Sequence, residues 1–205
     1  MSFISVVTTK EFTSIMADGR IRDMQGNIVE EQFLKLRKFS NCIVGIVGNP
    51  GFMELLENNL ELHGLTKNSS NVITIIEALM NANVEQDDGQ KAFANIVVTG
   101  LNEEKSLYCS AYTNVPNKNY DNLSYKLNRN DHNIRYFTLP PEDCPISIDS
   151  TIQNLFGQNF SKGGIKDIQS KLNDIVAKKT PSVNTNKYSI ILDKKGRFYE
   201  RKYFN

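Results

Sequence analysis

Residues 3–20 read FISVVTTKEFTSIMADGR. Phe3, Ser5 and Val7 share one side of an extended chain, the two-residue period of a strand. Lys10 and Glu11 form a short polar break, and a second run, FTSIMADGR, follows it. Two such runs around a polar break predict a hairpin, with residues 2–9 and 12–18 as neighbouring antiparallel strands. After the hairpin, MQGN at 24–27 marks a turn, and IVEEQFLKLRKF at 28–39 suits a helix or a strand. NCIVGIV at 41–47 reads as a buried strand ended by GNPG. FMELLENNLEL at 52–62 then has helical spacing at Phe52, Leu55, Leu56, Leu60 and Leu62, and it is expected to lie on the layer of the first hairpin.

The remaining chain repeats the scheme. Residues 71–83 predict a second helix with Val72, Ile75, Ile76 and Leu79 on one face. AFANIVVTG (92–100) and SLYCSAYT (106–113) predict strands joined at LNEEK. Residues 114–133 hold seven Asn and predict a polar loop or insertion. NIRYFTL (133–139) is a strand stopped by Pro140 and Pro141, and 147–157 a short helix. In 163–179, Ile165, Ile168, Leu172, Ile175 and Val176 form a helical stripe. KYSIILD, the turn KKG and RFYERKYF close the chain as a hairpin. Strands and helices come in blocks rather than in strict alternation. That argues against a doubly wound parallel sheet and for an α+β fold, two antiparallel sheets with helices stacked outside them.

Composition sets the class. The chain has 205 residues, the size of one domain, with 40% apolar and 23% charged residues. These values exclude a disordered or collagen-like chain. No apolar run is long enough to span a membrane, and the N-terminus lacks the basic and apolar regions of a secretory signal. The net charge of +1 is less basic than general nucleic-acid binding requires. Cys42, Cys109 and Cys144 are too few and scattered for a disulfide framework or a paired-cysteine metal site. The expectation is a reduced, soluble, cytoplasmic protein without nucleic-acid or membrane partners.

Several motifs offer chemistry. GIVGNPG at 45–51 lies between a strand and a helix but lacks both GxGxxG and GK[ST]. It reads as a tight turn or as an oxyanion site, where a backbone N–H approaches a reacting carbonyl. His63 and His132 have no partner spacing suited to a metal and read as surface histidines. Nothing beyond their presence pairs Cys144 with His132. Lys35, Arg37 and Lys38 form a basic cluster typical of a solvated face. Ser2 is sharper. Its small side chain permits removal of Met1, leaving a hydroxyl nucleophile and a free α-amine on one residue. An α-amine titrates near ~7.7–8.0, so it can act as a general base.

The spacing after Ser2 resembles the proteasome β-subunit branch of the N-terminal nucleophile hydrolases. There the nucleophile opens a first strand, and an Asp sixteen residues on closes the second within Ala-Asp-x-Arg. Here that offset falls on Asp18, within Ala17-Asp18-Gly19-Arg20. A catalytic Lys follows in the family, and Lys35-Leu36-Arg37-Lys38-Phe39 fits with one extra residue. Gly48, ending CIVGIVG, matches the glycine whose N–H is the oxyanion donor. IVVTGLNEEKSLYCSAYT resembles the family's mid-chain hairpin, with Asn102 in place of the usual Asp.

The resemblance implies a four-layer αββα sandwich over a single domain, residues 1–205. It implies a peptide or small amide as substrate, and a homo-oligomer. A near-zero net charge adds little repulsion between copies. It implies Ser2 as nucleophile, Lys35 as a cation depressing the pKa of the hydroxyl and amine, Asp18 as its partner, and Gly48 as oxyanion donor. Ser182 matches the Ser of the family's Asp-x-x-Ser-Gly motif, whose Asp and Gly are here Lys179 and Val183. The nucleophile is usually Thr. No Gly-Ser-Gly-like stretch occurs within TLPPEDCPISIDS (138–150). No cofactor or metal is implied. A catalytically silent relative, keeping the fold for assembly, is the alternative reading.

Overall fold

The computed structural model describes residues 2–23, 25–82, 84–85, 89, 91–118, 125–126, 134–141, 144–155 and 161–204. The first hairpin forms as expected: β1 (Ile4–Thr8) pairs antiparallel with β2 (Phe12–Asp18), with Ile4 opposite Ala17. β1 also pairs with β10 (Arg135–Leu139), and β2 with β11 (Lys187–Asp193). β12 (Phe198–Tyr203) completes a five-stranded antiparallel sheet in the order β10-β1-β2-β11-β12.

Residues 28–39, ambiguous in sequence, contribute two short strands. β4 (Ile28–Glu30) pairs with β3 (Ile21–Arg22) as a separate ribbon. β5 (Leu36–Lys38) pairs with β6 (Cys42–Gly48). β6 continues through β7 (Ala94–Leu101) and β8 (Leu107–Thr113) to β9 (Tyr125–Lys126), the second five-stranded antiparallel sheet. Apart from β9, the Asn-rich stretch 119–133 lies outside the described residues, and with it His132.

β1 and β2 are buried along their whole lengths, so both faces of the hairpin are covered. Ile4, Val6, Ile15 and Ala17 join Leu36, Ile43, Val47 and Val97 in one apolar cluster that draws on both sheets. Side chains of alternate parity turn the other way. Val7, Phe12 and Ile191 pack with Ile165 of α4 (Lys162–Lys179), and Phe3 packs with Leu172 and Val176 of α4 and with Ile152 of α3 (Ile148–Leu155).

Two expectations are corrected. α1 (Gly51–Leu62) does not lie on the first hairpin. Phe52, Leu56 and Leu60 pack with Val72 and Ile76 of α2 (Ser69–Asn81) against Val44, Ile46, Ile96 and Val98. The strand period explains this: Ile43 and Val47 face the first sheet, whereas Val44 and Ile46 face away from it. The chain leaving β6 at Gly48 therefore folds back onto the outer face of its own sheet. In α4, Ile168 and Ile175 are only half-buried, and Gln169 and Asn173 take buried places on the stripe. Beneath Gln169 the sheet presents Ser5 and Ser14, which a carboxamide can match and an isoleucine cannot.

Candidate active site

Asp18 ends β2 beside the start of the chain. Its amide donates to Phe3 O (3.2 Å) and the Phe3 amide donates back to Asp18 Oδ1 (2.8 Å). This reciprocal pair extends the hairpin to Phe3 and fixes the residue next to it, Ser2. The Arg20 amide donates to Asp18 Oδ2 (2.9 Å), so both carboxylate oxygens are engaged by backbone. Such donors match the acceptor-only chemistry of a carboxylate.

Lys35 immediately precedes β5, and its carbonyl accepts the Ile46 amide (3.1 Å), which anchors it to β6. Its Nζ donates to Asp18 Oδ1 (2.8 Å) and to the carbonyl of Arg20 (2.6 Å). The ion pair is enclosed, with side chains 3% exposed for Lys35 and 0% for Asp18. Burial pushes the Lys35 ammonium below the ordinary lysine range, and the Asp18 carboxylate opposes that shift. Lys35 is thus no part of a solvated basic face.

Ser2, Lys35 and Gly48 line one cleft of about 1180 Å³, with Asp18 behind Lys35. Ser2 is only 7% exposed. Phe33, Val29 and Phe93 supply apolar wall, and Arg22 and Lys118 supply charge. Gly48 sits at φ +116°, a conformation that L side chains rarely adopt. A Cβ there would stand 2.4 Å from the Phe93 carbonyl oxygen and 2.9 Å from Ala94 Cα. Both backbone conformation and close approach therefore require glycine. GNPG is also a true helix start, where the Gly51 amide donates to Asn49 Oδ1 (2.8 Å).

Ser182 is placed differently. It lies in the connection between α4 and β11, is buried, and does not line the cleft. Its neighbour Val183 packs in the same apolar cluster as Phe3, so the connection runs close to the first strand. Lys179, where the family resemblance has an acid, is exposed at the end of α4.

Sequence reasoning missed two contributors. The second acceptor for Lys35 is the backbone carbonyl of Arg20, and backbone leaves no signature in residue types. Phe93 reaches the cleft from just before β7, and only the pairing of Gly48 with Ala94 brings it there. Among the described residues no group of three His, Cys, Asp or Glu side chains could hold a metal ion. Among the described residues no helix is long and apolar enough to cross a membrane.

No protein-family model matches the chain, and no curated protein matches it. Solved structures do. An Anbu Gly-1 mutant from Hyphomicrobium sp. strain MC1 superposes with a TM-score of 0.71 at 11% identity, over 98% of this chain and 87% of that one. Anbu, described as an ancestral beta-subunit, from Yersinia bercovieri gives 0.69 at 13% identity, over 99% and 88%. At such identities the likeness is one of fold. This chain has an α+β, proteasome-like fold, shared with these Anbu structures over nearly its whole length.

Proposed function

We propose that this chain is an N-terminal nucleophile hydrolase of the proteasome β-subunit type, acting on a peptide or small amide. The observation that carries the reading is the enclosed Lys35–Asp18 pair opening onto the cleft that Ser2 and Gly48 also line. A buried ion pair is a poor way to gain stability, so one at a cleft floor beside a hydroxyl favours a chemical role.

The reaction follows from these groups once Met1 is removed. The Ser2 α-amine takes the hydroxyl proton as Ser2 Oγ attacks the substrate carbonyl. An ammonium has three protons; Asp18 Oδ1 and Arg20 O accept two, and the proposed mechanism assigns the third to the Ser2 hydroxyl. The tetrahedral oxyanion is held by the Gly48 amide. Collapse breaks the amide C–N bond, the α-ammonium protonates the leaving amine, and an acyl-enzyme ester remains. Water, deprotonated by the α-amine, then attacks the ester. The acid product leaves and Ser2 is regenerated. The resemblance also assigns Ser182 to the site, and in this structure it is buried in the connection after α4 and does not line the cleft. No metal or cofactor is needed.

The same reading takes residues 1–205 as one domain, a four-layer αββα sandwich. Apolar clusters between the sheets, under α1 and α2, and under α3 and α4 support it. It makes the protein a cytoplasmic homo-oligomer without nucleic-acid or membrane partners. The exposed Lys179, and a Ser182 that does not line the cleft, favour a second reading: a silent relative that keeps the fold for assembly.

One experiment separates them. Intact mass identifies the Met1-free protein, which is then treated with a fluorophosphonate probe. The hydrolase labels at Ser2, and Ser2→Ala loses all labelling. Equal labelling of both proteins, or none of either, leaves the silent reading.

A further inference from the structure

Both acceptors of the Lys35 ammonium, Asp18 Oδ1 and Arg20 O, belong to one turn at residues 18–20. That turn is clamped from outside. Asn184, in the connection between α4 and β11, is only 6% exposed. Its Oδ1 accepts the Gly19 amide (3.0 Å), and its Nδ2 donates to Glu31 O (2.8 Å) and to the Glu31 carboxylate. Its own carbonyl accepts Asn173 Nδ2 (2.8 Å), which ties the connection back to α4. The Glu31 carboxylate in turn takes Arg20 through Nε (3.2 Å) and through a second guanidinium nitrogen (3.0 Å). A Cβ on Gly19 would stand 2.8 Å from Glu31 O, so this closeness is available only to glycine.

We propose that Asn184 is a positioning residue: its carboxamide fixes the turn at residues 18–20 and, through it, the Lys35 ammonium beside Ser2. The proposal rests on the reading of Ser2 and Lys35 as the reacting site. A buried ammonium is held only while its acceptors keep their spacing. The Arg20 carbonyl is main chain and moves with the turn, so what holds the turn holds that acceptor. A carboxamide suits the place because it offers an acceptor to Gly19 and a donor to Glu31 at once. A carboxylate there would face that of Glu31. The connection after α4 thus supplies through a neutral amide what the exposed Lys179 does not.

The test uses the full chain and does not need a reactive Ser2. A proton–nitrogen NMR spectrum selective for lysine ammonium groups detects an ammonium that is hydrogen-bonded and shielded from exchange with water. We expect a Lys35 signal in the wild type, assigned by its absence from Lys35→Met. It disappears in Asn184→Ala and in Asn184→Asp. It returns in Asn184→Asp combined with Glu31→Gln, where the introduced carboxamide donates to the introduced carboxylate. In parallel, the Met1-free proteins are inactivated with a fluorophosphonate. Asn184→Ala lowers the rate at saturating probe by about tenfold to a hundredfold, while half-saturation is unchanged. The double variant recovers it. A Lys35 signal that persists in Asn184→Ala overturns the proposal, as does a double variant no better than Asn184→Asp. If no protein labels at Ser2, the hydrolase reading fails and the NMR series still decides the role of Asn184.

Discussion

Among the buried polar clusters of β1 and β2, two have opposite character. Midway along them, Gln169 reaches down from α4. Its Nε2 donates to Ser5 O (2.9 Å) and Ser5 Oγ (3.2 Å), and its Oε1 accepts from Ser14 Oγ (2.5 Å). At the end of β2, Asp18 and Lys35 form an ion pair held by the Phe3 and Arg20 backbone. The first cluster is neutral, reciprocated and closed over by a helix. The second is charged and lies against a cleft. A neutral carboxamide can be satisfied completely in the interior, at little cost in desolvation. A buried charge cannot, and its attraction to a partner barely offsets the loss of water. Polar burial alone therefore does not single out a candidate site; a buried charge opening onto a cleft is the feature on which the proposed site rests.

Loss of the cation at the charged cluster should matter most. Lys35→Met leaves Asp18 buried without its cation and is expected to cost about 3–5 kcal/mol. Asp18→Asn combined with Lys35→Met is expected to recover part of that loss, because it removes the unpaired buried charge, although the amide offers one acceptor to the two backbone donors of Phe3 and Arg20. Urea unfolding of the three proteins at neutral pH measures this. If the double variant is as unstable as Lys35→Met, the pair contributes packing rather than a buried charge.

A smaller effect is expected at the neutral end. Gln169→Met keeps the volume and removes the partner of Ser5 and Ser14, which should cost about 1–3 kcal/mol. Here no second substitution of one acid or base restores stability. Labelling at Ser2 should be unchanged in Gln169→Met, whereas in Lys35→Met it should fall by about 10²–10⁴. Parallel losses of labelling in the two variants would mean that the two clusters are one coupled network.

Much of this frame was legible in the sequence. The two-residue period of residues 3–20 fixes the hairpin, and Gly48 stands out because a strand ends there and a helix begins. The offset from Ser2 to Asp18 to Lys35 points to three residues that share no local pattern, since they meet only after β2 and β5 take their places in different sheets. What was not legible has a common physical cause. The layer on which α1 lies depends on which parity of β6 faces inward, and both parities are apolar. The place of Gln169 depends on hydroxyls from strands far away in sequence. The Arg20 carbonyl and the contacts of Asn184 are backbone and amide chemistry, which no charge or hydropathy pattern announces. Ser182 matched by position in the chain alone, and the connection that carries it turns toward Phe3 rather than into the cleft lining.

The two clusters should also differ, more weakly, in their response to pH. The folded-state pKa of Lys35 is lowered, chiefly by burial against the opposing pull of Asp18. Between that value and the ordinary lysine range near ~10.4, the unfolded chain binds the proton more fully than the folded one. Stability from this group therefore rises with pH across that window, by at most about 1.4 kcal/mol per pH unit for one proton. Gln169 has no proton to exchange and contributes no slope. The buried Cys42 thiol acts in the opposite sense. Burial pushes it up to about 12, so the unfolded chain loses its proton first and stability falls above about pH 9. Whole-protein curves mix the two, and the difference between wild type and the Asp18→Asn, Lys35→Met double variant removes the thiol. That difference should move in favour of the wild type as pH rises towards the ordinary lysine range near ~10.4. A flat difference would mean that Lys35 keeps its ordinary affinity for a proton, and that the cation at the cleft floor is fully stabilised by the turn around it.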